Sequence, residues 1–235
     1  MTAWPNFSTR INKPELMDDL ALGGDTMRQT LDQLAVVNRY LGGGQAWRGL
    51  QQVLRQADRS RTYVLADLGC GGGESLRQMA RWARQAGYSL ELWGFDANPH
   101  VVAYAREKST AYPEIRYAVA DIFSPEFQQR QFDLMTCSLF LHHFSEEELR
   151  SLLPRLADMA PQGLIISDLQ RHWLPWVLFG LVTKLLGASH MIRYDGMLSI
   201  RRAFTRRDLQ DLLQPLQRPL TIQWRWAFRY LAVIQ

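Results

Sequence analysis

Several things are scarce in this chain, and each scarcity excludes something. There are two cysteines among 235 residues, Cys70 and Cys137. That is too few for a disulfide scaffold and points to a reducing, cytoplasmic location. The Cys/His spacings of zinc sites are missing, so no metal is expected. No apolar run is long enough to cross a bilayer. The N-terminal Met1-Thr-Ala-Trp-Pro-Asn lacks the hydrophobic stretch of a secretory signal. There is no internal repeat and no low-complexity segment. The net charge is +4 and the isoelectric point about 9.3. The basic residues nevertheless form no dense, aromatic-interleaved stripe; Arg201-Arg202 and Arg206-Arg207 come nearest, so nucleic acid is not an expected partner. Hydrophobic residues make up 47% and charged residues 21%, which fits one globular domain with room for a large core.

What is present begins with Val64-Leu-Ala-Asp-Leu-Gly-Cys-Gly-Gly-Gly-Glu74. It reads as a buried strand running into a glycine-rich turn that opens a helix. Asp67 precedes the turn, and Gly69, Gly71, Gly72 and Gly73 form it. Glycines gather this way where backbone must approach a ligand closely, or in a plain tight turn. The dinucleotide fingerprint G-x-G-x-x-G/A would need a small residue where Glu74 stands, which argues against NAD(P).

Strands and helices then alternate. Leu90-Glu-Leu-Trp-Gly-Phe-Asp96 ends in an acid, and Asn98-Pro99 starts a helix as N-cap and first residue. Ile115-Arg-Tyr-Ala-Val-Ala-Asp121 is a third strand, with Ile122 following and Ser124-Pro125 opening a short helical turn. Phe132 to Ser138 is a fourth, leading to Leu139-Phe-Leu-His-His-Phe144. Ser145-Glu-Glu-Glu148 is a capping box ahead of a helix carrying Leu149, Leu152, Leu153 and Leu156. Gly163 to Asp168 is a fifth strand. Strands apolar on both faces, alternating with helices, predict an α/β fold with a parallel sheet covered by helices and a ligand at the carboxyl ends of its strands.

These motifs, spanning Tyr63 to Ser167, resemble the class I S-adenosylmethionine (SAM) methyltransferases, in particular the branch acting on small molecules in quinone and natural-product biosynthesis. The resemblance implies a Rossmann-like sheet of seven strands, mostly parallel with an antiparallel last strand. It implies SAM as cofactor, giving S-adenosylhomocysteine, held by Asp67, Gly69, Cys70, Gly71, Gly73, Asp96, Ala97, Asp121, Ile122 and Ser138. Asp96 would grip the ribose, Asp121 the adenine amino group, and Ile122 the adenine face. Base-modifying relatives carry an Asp/Asn-Pro-Pro-Tyr/Phe motif after strand four, where this chain has Ser138-Leu-Phe-Leu.

His142 and His143 follow the fourth strand. Leu141-His-His-Phe-Ser-Glu-Glu147 resembles the His-x-Trp-x-Asp-Glu region of phenolic O-methyltransferases, whose base falls on His142 here. Phe144 replaces the tryptophan. His142 is therefore either a general base or a pocket wall, and His143 a supporting residue. His172 and His190 are weaker base candidates.

Residues 1–60 are expected to form a helical cap, helical from about Lys13 to Ala57 and broken at Gly42-Gly43-Gly44, with Asn38-Arg39-Tyr40 ahead of the break. Residues 61–235 form the core, with an insertion at about 170–204. Within that insertion Trp173 to Thr183 carries no charge and reads as a lid over an apolar pocket, with membrane contact through 173–187 as second reading. Substrate contacts are expected from His172, Trp173, Trp176 and Arg193, with Arg171 and Arg201 as further anion-binding candidates. Thr205-Arg-Arg-Asp208 is another capping box. Ile222, Trp224 and Trp226 then alternate with polar residues as in a β-hairpin. The expected activity is O-methylation of an aromatic or polyketide-like hydroxyl. The alternatives are C-methylation of a lipid quinone precursor, a SAM-binding regulatory protein without turnover, and an NAD(P)-dependent oxidoreductase.

Overall fold

The computed structural model describes residues 4–42 and 45–235; the first three residues, and Gly43 and Gly44 of the expected break, lie outside the described residues. The chain runs α1 (Gly24–Tyr40), α2 (Ala46–Leu54), β1 (Thr62–Leu68), α3 (Glu74–Ala86), β2 (Ser89–Asp96), α4 (Pro99–Lys108), β3 (Ile115–Val119), α5 (Pro125–Gln128) and β4 (Leu134–Ser138). It continues through α6 (Glu146–Met159), β5 (Gly163–Leu169), α7 (Trp173–Leu185), α8 (His190–Arg202), α9 (Arg206–Leu213), β6 (Leu220–Arg225) and β7 (Arg229–Ile234). The sheet order is β3-β2-β1-β4-β5-β7-β6, and β7 alone runs against the others.

Period-two alternation explains the layers. In β1, Tyr63 and Leu65 point to one face while Ala66 and Leu68 point to the other. The first face is covered by α2, α3 and α4 through Leu50, Leu54, Leu76, Met79 and Val102. The second is covered by α5, α6 and α9 through Phe127, Leu149, Leu153 and Leu209. The caps form as the sequence predicts. Asn98 Oδ1 accepts from the His100 amide at 2.8 Å, and Ser145 with Glu148 and Thr205 with Asp208 close capping boxes. The sheet reverses direction of growth between β1 and β4, so the strand ends leave a crevice there.

The N-terminal segment departs from the expected helix. Between Lys13 and Gly23 the only helical element is a 3-10 turn, Leu16–Asp18. The rest is an extended strap whose backbone is bonded by other elements. Arg171, buried, donates to the carbonyls of Phe7 (3.0 Å), Ser8 (3.3 Å) and Ala203 (2.7 Å) and pairs with Asp208. Asp195 accepts the amides of Leu16 and Met17 at 2.8 and 3.0 Å. Backbone groups satisfied from outside have no need of helical bonds. Arg171→Met leaves those carbonyls without their donor. It should lower unfolding free energy by about 1–3 kcal/mol in urea titration and speed protease cleavage within residues 4–15.

Candidate active site

The crevice is a cavity of about 880 Å³ walled by the ends of the parallel strands, the strap, α1, α7, α8 and the β6–β7 hairpin. Its floor is the glycine loop. Gly69 has φ +61, and a Cβ there would lie 2.1 Å from the Phe140 ring, so only glycine fits. Gly71 has φ +50, but nothing lies within 4 Å of the place a Cβ would take. Its backbone faces open cavity. Asp96 holds the loop, accepting from the amides of Gly71 (3.1 Å) and Asn98 (3.0 Å). Asp67 is buried beneath it with Thr136 Oγ1 donating to its carboxylate. Burial pushes Asp67 up to about 7, the Thr136 bond opposing and the Asp96 charge reinforcing the shift. The Cys70 amide donates to the Phe95 carbonyl, and burial raises its thiol well above the ordinary value, which makes it a poor nucleophile.

Asp121 and Ile122 lie just beyond β3 and both line the cavity, as do the exposed Ala97 and Ser138 at the end of β4. Two hydroxyls on this wall, Ser75 Oγ and Ser138 Oγ, are buried without a hydrogen-bond partner. Leu139 then turns the chain at φ +53, a strained value for leucine, its amide donating to the Ser167 carbonyl at 2.8 Å.

That turn delivers the two histidines. His142 is 2% exposed, and its Nδ1 lies 2.7 Å from Asp168 Oδ1. A carboxylate only accepts, so Nδ1 is the donor in this bond and Nε2 is left facing Glu15. Burial raises the carboxyl of Asp168, but the charge and hydrogen bond of His142 outweigh it and hold it below its ordinary value. His143 Nδ1 lies 2.7 Å from Asp18 Oδ1.

The strap adds a residue that sequence reasoning missed. Glu15 Oε1 stands 3.7 Å from His142 Nε2 and accepts from Ser199 Oγ at 2.8 Å. No local motif marks it, because it is brought in from a segment remote in sequence. Burial pushes its carboxyl up to about 7, against the pull of His143, Ser199 and Arg202. Arg202 ties strap and histidine loop together, donating to the carbonyls of His142, His143 and Lys13 and to Asp18. Glu15, His142 and His143 offer potential ligand atoms within 4.8 Å of one another. The two imidazole planes lie 31° apart with ring centroids 4.3 Å apart.

The expected substrate residues of the insertion are placed elsewhere. His172, Trp173, Trp176 and Arg193 do not line the cavity. His172 caps α7, accepting from the Leu174 amide, and Trp176 packs edge-on against Trp4 and Phe7 of the strap. Trp173 points outward, and Arg193 lies half-buried on α8. Helical phase is the reason: α7 turns Pro175, Leu178, Phe179 and Val182 to the cavity instead. Arg171 serves the strap, and Arg201 and His190 are also off the cavity wall, whereas Asn38 and Arg39 are on it.

Residues 65–163 match the family described as a methyltransferase domain. Over those residues the chain is similar to that family. No curated protein matches the sequence. Among solved structures, magnesium protoporphyrin IX methyltransferase of Synechocystis PCC 6803, with bound S-adenosylhomocysteine, is 19% identical over 83% of this chain and 84% of that one, TM-score 0.54. An O-methyltransferase family 2 protein of Planctomyces limnophilus in complex with apigenin is 15% identical over 92% and 62%, TM-score 0.64. The CurJ carbon methyltransferase is 17% identical over 79% and 51%, TM-score 0.59. The chain thus spans 51–62% of the last two. The fold is the Rossmann-like methyltransferase fold. The domain match holds the glycine loop, the three acids and both histidines, whereas Glu15, α7, α8 and the hairpin lie outside it.

A carboxyl whose folded pKa exceeds its unfolded value binds more protons folded than unfolded. Its contribution to stability is full below the unfolded value, 4.5 for Glu15, and is lost as pH rises through about 7. Glu15→Gln should therefore raise the urea midpoint over wild type at about pH 8 and leave the two proteins nearly equal at about pH 4.5.

Proposed function

We propose that this protein transfers the methyl group of SAM to a hydroxyl of a small, apolar acceptor, aromatic or polyketide-like. One observation carries the reading: a buried imidazole, bonded at Nδ1 to Asp168, shares a cavity with an open glycine loop. The residues present suit SAM. Gly71 offers bare backbone, and Asp96 retains lone pairs for ribose hydroxyls. Asp121 and Ile122 suit the edge and face of an adenine. The unpartnered hydroxyls of Ser75 and Ser138 call for polar ligand atoms.

When bound, SAM supplies a methyl group made electrophilic by its sulfonium. The chain's own share is to orient an acceptor oxygen and remove its proton. His142 Nε2 takes that proton, Asp168 stabilises the imidazolium that forms, and Glu15 can carry the proton onward. The walls of the acceptor space come from Leu178, Phe179, Ile192 and Phe228. Their apolar character also favours a second reading, C-methylation of a lipid quinone precursor, in which the same base removes a proton from carbon.

Calorimetric titration with S-adenosylhomocysteine should give micromolar binding, about −8 kcal/mol, with none for NADH. NADH binding alone would overturn the reading. His142→Ala should retain that affinity while kcat on phenols or quinols falls about a hundred- to ten-thousand-fold. Unchanged turnover would remove His142 as the base, and binding without any turnover would favour a regulatory protein. The site of the new methyl in the product, read by NMR, separates oxygen from carbon.

A further inference from the structure

α7 is apolar around its whole circumference, with Lys184 as its only charge. Such a helix is ordinarily enclosed on all sides. Here only Pro175 and Thr183 are buried. Trp173, Leu178, Leu181, Val182, Leu185 and Leu186 supply six of the fifteen exposed large apolar side chains among the described residues. Leu178, Leu181, Val182 and Leu185 fall at i, i+3, i+4 and i+7 and form one stripe. Two of them, Leu178 and Val182, also line the cavity, so the apolar surface is continuous from the outside of the molecule to the candidate acceptor space. On the inner side α7 is backed by α8, where Gly196 has no Cβ to obstruct the Phe179 ring.

We propose that this face of α7 docks on an anionic phospholipid surface and gives the cavity a lipophilic entrance. The helix is too short to span: thirteen residues reach about 20 Å against a hydrocarbon core of about 30 Å. Lying in the interface plane, it presents Trp173 near one end and Lys184 near the other, side chains suited to the headgroup layer. Charge selects the partner. From Leu169 to Tyr194 the sequence carries no Asp or Glu; of its three cations Arg171 is buried against Asp208 and Arg193 is half-buried, which leaves Lys184 exposed on α7. Anionic lipid complements that charge, whereas a second copy of the helix offers no acidic partner for it. Entry of the acceptor from the lipid phase rests on the methyl-transfer reading, but the docking itself does not.

The full chain is mixed with extruded vesicles of phosphatidylcholine alone or with phosphatidylglycerol, and sedimented. Wild type should partition onto the phosphatidylglycerol vesicles. Leu181→Glu/Leu185→Glu, both outside the cavity wall, should lower that partition by roughly tenfold or more. Its thermal midpoint and S-adenosylhomocysteine affinity should stay those of wild type. Lys184→Glu should narrow the preference for the anionic vesicles. The proposal is overturned if wild type stays in the supernatant, if the double variant sediments as wild type does, or if ultracentrifugation shows a dimer that the double variant dissolves without any vesicle binding. Vesicle binding without S-adenosylhomocysteine binding would sink the methyl-transfer reading and keep the docking; the reverse pattern would do the opposite.

Discussion

The buried charge network around His142 is the constraint on which the site depends. Asp168 is fully enclosed at the end of a central strand, and His142 is its partner. An ionised carboxylate can remain there only while paired. Around that pair Arg202, Asp18 and Glu15 supply further charges, and Arg10 adds bonds to the carbonyls of Arg202 and Phe144 at 2.7 and 2.8 Å. These side chains come from the strap, the histidine loop, β5 and α8. Arg202 and Arg10 bond carbonyls of the strap, the histidine loop and α8, and Asp168 ties that loop to β5, so the four segments hold one another in register. The orientation of His142 Nε2 follows from that mutual restraint more than from the 3-10 turn that carries it.

The cavity divides by origin. Its glycine-loop side is made of strand ends and the turns after them, where the parallel sheet converges several backbones on one crevice. Its other side is made of the strap, two inserted helices and a hairpin. The first side lies within the matched methyltransferase domain and the second outside it. A shared scaffold with a variable wall is how one fold serves many acceptors. It also accounts for structural neighbours that methylate oxygen in one case and carbon in another.

α7 is where packing within the chain leaves most undone. Its inner residues meet α8 and the cavity, and Trp173, Leu181 and Leu185 are left exposed. A contiguous exposed apolar face of this kind marks an interaction surface, and the lipid docking proposed above would cover it.

Much of the fold was legible in the residues: the glycine loop before α3, the acid at the end of β2, the caps at Asn98, Ser145 and Thr205, and the existence of the terminal hairpin, though Trp224 and Trp226 are exposed rather than on a buried face. Each is a local rule, a φ preference, a side-chain bond to a near amide, or a two-residue period, and it acts over a few positions. The strap was not legible, because its backbone bonds go to Arg171, Arg202 and Asp195, whose distance in sequence hides the pairing. Nor was the inward face of α7: an all-apolar helix has no polar side to set its phase, so Trp173 and Trp176 looked equivalent to Phe179. The sequence by itself determined the sheet, the loop and the presence of a histidine pair beyond β4, since these follow from neighbours along the chain. Only the tertiary structure decided that Asp168 orients His142, that Glu15 stands across from it, and which side of α7 meets the cavity. Those are contacts between remote segments, brought about by burial and charge pairing that no local pattern encodes.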